Sequence, residues 1–214
     1  MIIDKRYYLI LCFSIIIVVY LHKKIMRSDY LQWNDALKII EMLKKDEKFQ
    51  STQYLAFVSL GFFSGLRIGD ILKLKYKDIK PILKVQEEKT KKKRDITLTQ
   101  DVIDLISMCK EDLMKDEDEF VVPIKSNQCS NVLKSLVHRL GIWDINVSNH
   151  TMRKTFARAI FDNNGGNEAS LILLSEILGH SNSGVTRIYL GIKDSEISDA
   201  YKTLSLKPTK KLKQ

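Results

Sequence analysis

Apolar residues recur with a helical period along most of the chain. Ala36, Ile39, Ile40 and Leu43 fall at i, i+3, i+4 and i+7, the spacing that gathers side chains on one stripe of a helix. Tyr54 to Phe63 is almost wholly apolar and stops at Ser64-Gly65, which predicts a buried helix ended by glycine. Arg67 to Leu74 predicts a further short helix. The period then drops to two, with Ile82 to Gln86 and Asp95 to Leu98 alternating around the charged turn EEKTKKKR (87–94), which predicts a basic β-hairpin. Helical spacing returns at Val102, Leu105 and Ile106, Phe120 to Val122 predicts a short strand, and Leu133, Leu136, Val137 and Leu140 mark another helix. Ser148 is the expected N-cap of a helix through Phe161, Asn163 to Gly166 is a break, and Leu171 to Leu178 is helical again before Gly179. The predicted fold is mainly α with a small antiparallel β-hairpin sheet, one domain over residues 28–214.

The first 27 residues follow a different pattern. Tyr7 to Leu21 carries no charge over fifteen positions, with Lys5 and Arg6 before it and His22, Lys23, Lys24 and Arg27 after it. As a helix it spans about 22 Å, short of the ~30 Å hydrocarbon core, although terminal tyrosines and lysines suit the interface. No small-residue cleavage site follows, which disfavours a removed signal. Two expectations stand for residues 1–27: an uncleaved membrane anchor through 7–21, or a start-site artefact or remnant of an interrupted longer protein.

Composition narrows the partners. The chain has 214 residues with a formal charge of +9, 44% hydrophobic and 29% charged residues, so the body is a folded domain whose field favours polyanions. Lys202, Lys207, Lys210, Lys211 and Lys213 make the tail basic as well, and a solvated terminus accounts for that charge. Cys12, Cys109 and Cys129 form neither a disulfide framework nor a paired zinc motif, which fits a reducing compartment. The sequence has no Gly-Lys-Ser/Thr phosphate loop and no dinucleotide fingerprint, so nucleotide-driven chemistry is not expected.

Each polar candidate taken alone has an ordinary explanation. Arg67 would serve as a surface arginine at a helix start. His150 and Arg153 are three apart on a predicted helix and share a face. His180 follows Leu-Gly at a helix end, where a cation suits the dipole, and Tyr189 in the run Ile188-Tyr189-Leu190 would usually be packing.

Their order along the chain carries more. GLRIGDILKLKYKDI (65–79), EKTKKKRDITL (88–98), SNHTMRKTFA (148–157) and LGHSNSGVTRIYLGI (178–192) resemble the motifs of the tyrosine recombinase, or phage integrase, family over about 160 residues. The resemblance implies a tyrosine recombinase catalytic domain. It makes Tyr189 the nucleophile, Arg67, Arg153 and His180 the phosphate clamp, His150 a supporting member and Lys89 the proton donor. Asp70 matches an acidic position of the family and is expected to orient the clamp. The hairpin offers Lys89, Lys91, Lys92, Lys93 and Arg94, and the family's distance to the second strand selects Lys89. Double-stranded DNA is the implied partner, bound by a tetramer in the cytoplasm, with residues Ser195 to Leu206 reaching a neighbour and with neither metal nor ATP.

The residue types suit that chemistry in their own right. Attack on a phosphodiester builds charge on equatorial oxygens, which planar arginines and a histidine can meet. A phenol with a pKa of ~10 becomes nucleophilic beside cations, and its phosphate ester stores the bond energy for rejoining.

Two departures from the family pattern are expected to matter. The helical core-binding domain that usually precedes the catalytic domain has no counterpart in the 27 residues before the motifs, as in short members resembling the fimbrial-switch invertases. The Asn163–Asn167 region reads as a loop insertion. The competing readings are an inactive remnant that binds DNA or membrane without recombination and, with a poorer motif context, a type IB topoisomerase.

Overall fold

The computed structural model describes residues 28–46 and 48–190. The hydrophobic run 7–21, Cys12, the helix expected at Ser195 to Leu206 and the basic tail lie outside the described residues. Among the described residues, no helix is long and apolar enough to cross a membrane.

The described residues are mainly helical, with a two-stranded antiparallel sheet. They group into two compact units that divide between Ile160 and Phe161. In the first unit, α1 (Trp33–Lys44) and α2 (Phe49–Ser64) pack together, and α2 also packs on α4 (Gln100–Asp112). The α1 stripe of Ala36, Ile39, Ile40 and Leu43 is buried as its spacing predicts. The apolar helix α2 is buried on nearly every side, with Leu55, Phe57, Leu60 and Phe62 in the same core cluster as Val102, Ile106 and Cys109. Burial drives the Cys109 thiol pKa up to about 12, so it behaves as an apolar side chain. α5 (Ser126–Arg139) adds Cys129, Leu133, Leu136 and Val137 to that core.

α2 ends at Gly65, whose φ of +60° is the left-handed conformation that glycine adopts without a Cβ penalty. α3 is a single turn, Ile68–Ile71, with Arg67 in its N-cap position, shorter than the Arg67–Leu74 helix expected from sequence. A 3₁₀ turn, Tyr76–Asp78, then leads to β1 (Ile82–Gln86) and β2 (Lys93–Thr97), paired so that Leu83 faces Ile96 and Val85 faces Arg94. β2 begins two residues before the expected Asp95, because Arg94 has a buried carboxylate partner and is at home on the inner face. Phe120 to Val122 makes only a bridge, Lys75 to Phe120, rather than a strand. The partner chain turns into the 3₁₀ segment straight after Lys75, so no ladder can extend.

α6 (Thr151–Asn163) starts later than Ser148. Ser148 Oγ accepts the His150 N–H at 3.1 Å and the Ser148 N–H donates to Thr151 Oγ1 at 3.0 Å, forming a tight turn. The first helical bond runs from Lys154 N–H to the His150 carbonyl at 2.9 Å. His150 is therefore the cap residue, and it does not share a helical face with Arg153 as the spacing predicted.

In the second unit the expected break occurs at Gly165 and Gly166, both at positive φ, where Gly166 N–H bonds back to the Phe161 carbonyl at 3.0 Å. α7 (Glu168–Leu178) opens with Asn167 Oδ1 accepting the Ser170 N–H, and it packs against α8 (Ser183–Leu190).

Candidate active site

Five of the expected residues, Arg67, Asp70, Lys89, His150 and Arg153, belong to the first unit. Arg153, buried in the first turn of α6, donates from Nη1 to the Gly65 carbonyl at 2.5 Å. That contact depends on close approach of α2 and α6. A Cβ on Gly61 would lie 2.3 Å from Met152 Sδ, and one on Gly65 would lie 2.3 Å from the Phe156 ring. Two glycines one helical turn apart thus let α6 lie on the end of α2 and set Arg153 two residues before Arg67.

Arg67 is tied to the hairpin. Its Nη1 lies 2.7 Å from Oε1 of Glu87, a fully buried carboxylate that sequence reasoning missed. The same oxygen accepts Arg94 Nη1 at 2.7 Å, and Oε2 accepts Thr90 Oγ1 at 2.5 Å. Arg67 meets the carboxylate off the N–H axis, so its pairing is chiefly ionic, whereas Arg94 and Thr90 make aligned hydrogen bonds. Burial alone would raise the Glu87 pKa, but the hydrogen bonds from Thr90 and Arg94 and the positive charge of Arg67 outweigh it and hold it at about 2.

Asp70, also buried, reaches the same hairpin: its Oδ1 accepts the Glu88 N–H at 2.8 Å. The carboxylate that meets Arg67 is Glu87, and Asp70 fixes the backbone of the turn beside Lys89. Lys89 itself is exposed at that turn, which closes with Lys91 N–H to the Glu87 carbonyl at 2.9 Å.

His150 shows how these residues converge. Its imidazole is held below the ordinary 6.5, first by desolvation of the ring and then by the positive charges of Arg153, Lys154, Arg67 and Lys89. The residue as a whole remains open to solvent. Arg67, Lys89 and Arg153, 22 to 86 positions apart in the chain, thus all add to the positive field at one histidine.

The second unit holds His180 and Tyr189. Leu-Gly-His has a direct structural reading: Leu178 is buried, Gly179 is left-handed at φ +64°, and the His180 N–H returns to the Ser175 carbonyl at 2.9 Å. The imidazole Nδ1 of His180 is 2.9 Å from Thr186 Oγ1, which is 2.7 Å from Ser175 Oγ. The Tyr189 ring meets the His180 ring edge-on at a centroid distance of 5.3 Å. A buried hydroxyl pair, Thr186 on α8 backed by Ser175 on α7, thus fixes the histidine, and α8 holds the tyrosine against it.

Comparison with known proteins identifies the family. The model of the phage integrase family matches residues 29–196. The chain belongs to the phage integrase family. Among its family relatives is the probable integrase/recombinase YoeC of Bacillus subtilis (strain 168), 30% identical over 183 residues, covering 78% of this chain and 97% of YoeC. The XerA recombinase structure superposes with a TM-score of 0.63 at 24% identity, covering 83% of this chain and 64% of XerA. The XerH site-specific recombinase bound to palindromic difH substrate also gives 0.63, at 18% identity, covering 82% and 53%. The chain therefore spans nearly all of YoeC but about two thirds and one half of those two solved chains. Both likenesses show the fold, the tyrosine recombinase catalytic domain.

Proposed function

We propose that this phage integrase family member cuts and rejoins DNA strands through a 3′-phosphotyrosine at Tyr189. The observation that carries the reading is that Arg153 donates to the Gly65 carbonyl two residues before Arg67, while Arg67 is paired with Glu87 of the hairpin that bears Lys89, which gathers the cations a phosphodiester reaction needs from three motifs. In this reading Arg67, Arg153 and His180 donate to the nonbridging oxygens as charge builds on them, each donor contributing roughly 10²–10³ in rate. His150 supports the clamp. The P–O5′ bond breaks as the P–O bond to Tyr189 forms, and Lys89 gives its proton to the departing 5′ oxygen. Reversal of the same steps seals the strand, so the ester itself conserves the bond energy.

DNA is the partner in this reading, and exchange between two duplexes calls for four copies. The reading places the protein in the cytoplasm with its DNA and gives residues 7–21 no part in the chemistry.

The test uses nicked suicide substrates carrying DNA from the element's own flanks, with oxygen or sulfur at the bridging 5′ position. A thiolate with a conjugate-acid pKa near ~8.5 leaves without a proton donor. Lys89→Ala is expected to lose about 10²–10⁴ in rate on the oxygen substrate and to recover on sulfur. Arg67→Ala is expected to stay slow on both. Absence of an adduct with wild-type protein on both substrates overturns the reading, and equal rescue of Arg67→Ala overturns the division of roles.

A further inference from the structure

The carboxylate of Glu87 joins two groups that the chemistry needs in one frame. It is fully buried, and each of its oxygens is engaged by side chains from different places: Arg67 at the α2–α3 junction, Arg94 on β2, and Thr90, the neighbour of Lys89, in the turn. We propose that Glu87 is a positioning residue that locks the Arg67 guanidinium and the Lys89-bearing turn to each other, so that the clamp and the proton donor address the same phosphodiester. The proposal rests on the function proposed above and names how this chain sets the geometry of that site.

A carboxylate that served only to hold the hairpin together would need no more than Arg94 and Thr90, which already cross from strand to strand and from strand to turn. The pairing with Arg67 adds nothing to the hairpin and binds it to a residue outside the sheet. The link is reinforced from the other side, since Asp70, three residues after Arg67, holds the Glu88 amide. Two buried acids, one from each element, thus cross-brace α3 and the turn, and Lys89 sits between the backbone held by Asp70 and the hydroxyl held by Glu87. Arg67 meets Glu87 off its N–H axis, so the ion pair sets where the guanidinium lies through charge rather than through an aligned hydrogen bond.

The cross-brace makes two variants behave differently. Thr90→Val cuts the tether to the Lys89 side, together with the Lys92 N–H bond to Thr90 Oγ1 in the same turn, and leaves the Arg67 pairing in place. It is expected to slow single-turnover cleavage of the oxygen substrate about tenfold or more and to recover on the sulfur substrate, because proton donation alone is impaired. Glu87→Gln keeps the shape but removes the charge that holds Arg67. It is expected to lose about 10²-fold on oxygen and to regain only part on sulfur, leaving a residual loss of about tenfold from the displaced arginine. If Glu87→Gln is folded and cleaves both substrates at the wild-type rate, or if sulfur rescues it completely, the proposal is overturned. A readout without cleavage separates this from failure of the proposed function. In ¹⁵N spectra of the free protein, rotation of the Arg67 guanidinium, assigned with Arg67→Lys, is expected to be hindered in wild type and averaged in Glu87→Gln. A freely rotating Arg67 in wild type overturns the proposal whether or not the protein cleaves DNA.

Discussion

Arg153 Nη1 donates to the carbonyl of Gly65, two residues before Arg67 in the chain and 88 before Arg153 itself. One hydrogen bond therefore binds the two arginine motifs to a shared piece of backbone, and that backbone is left-handed at Gly65.

Gly65→Ala is expected to disturb both stability and the arginine. A Cβ there pays about 1–2 kcal/mol for the left-handed conformation and meets the Phe156 ring at 2.3 Å. The thermal midpoint, read by circular dichroism, should fall by about 5–10 °C for a chain of this size. An unchanged midpoint would show that α2 and α6 do not approach as described.

Glu87 gives the fold a defined acid sensitivity. Its folded pKa of about 2 lies below the ordinary 4.5, so the unfolded chain binds the proton more readily. The stabilisation is present above about pH 4.5 and is lost as pH falls toward 2. Each pKa unit corresponds to about 1.4 kcal/mol, so the full effect is roughly 3 kcal/mol. Denaturant midpoints from pH 6 to pH 3 should fall more steeply for wild type than for Glu87→Gln, and parallel curves would contradict the burial and pairing of this carboxylate.

The alternating pattern that exposed the hairpin also held the evidence for Glu87. Leu83 and Val85 face inward, and the next position of that period is 87; on the other strand Ile96 and Leu98 are inward and 94 precedes them in the same phase. An acid and an arginine on the inner face of one hairpin are a charge pair by register, but the turn's many charges hide it. Helical stripes such as Ala36 to Leu43 were legible because burial of one face leaves a periodic trace. The start of α6 was not, since Ser148 and Thr151 are both good local hydrogen-bonding residues and only their mutual pairing decides which helical position His150 takes. The motifs brought Arg67, Asp70, Lys89, His150 and Arg153 to notice, whereas the contact of Arg153 with a main-chain carbonyl leaves no mark in residue identity.

His150 is expected to titrate below 6.5 in the free protein, because desolvation and the surrounding cations disfavour its charged form. An unfolded chain protonates the residue at higher pH, so its contribution to stability is present above about pH 6.5 and is lost on acidification. A bound phosphodiester offsets the cations, and the pKa should rise when DNA is added. Imidazole proton shifts followed across pH 5–8 measure both; a value above 6.5 in free protein would contradict the field described around it.

Removal of residues 1–27 should leave the catalytic body folded. The segment from Ser28 is pinned locally: the Ser28 carbonyl accepts Lys154 Nζ at 2.7 Å, the Asp29 N–H donates to the Asn146 carbonyl, and the Leu31 N–H donates to Thr155 Oγ1 at 2.9 Å. The truncated protein should keep its circular dichroism spectrum and thermal midpoint. An insoluble truncation beside a full-length protein soluble without detergent would make residues 1–27 part of the core.

In the proposed reaction Tyr189 becomes covalently joined to DNA. Trapping wild-type protein on a suicide substrate, digesting the adduct and sequencing the modified peptide by mass spectrometry measures this directly. A nucleotide-bearing peptide modified at Tyr189, absent from Tyr189→Phe protein, is expected. An adduct on another residue, or one that persists in Tyr189→Phe, would contradict it.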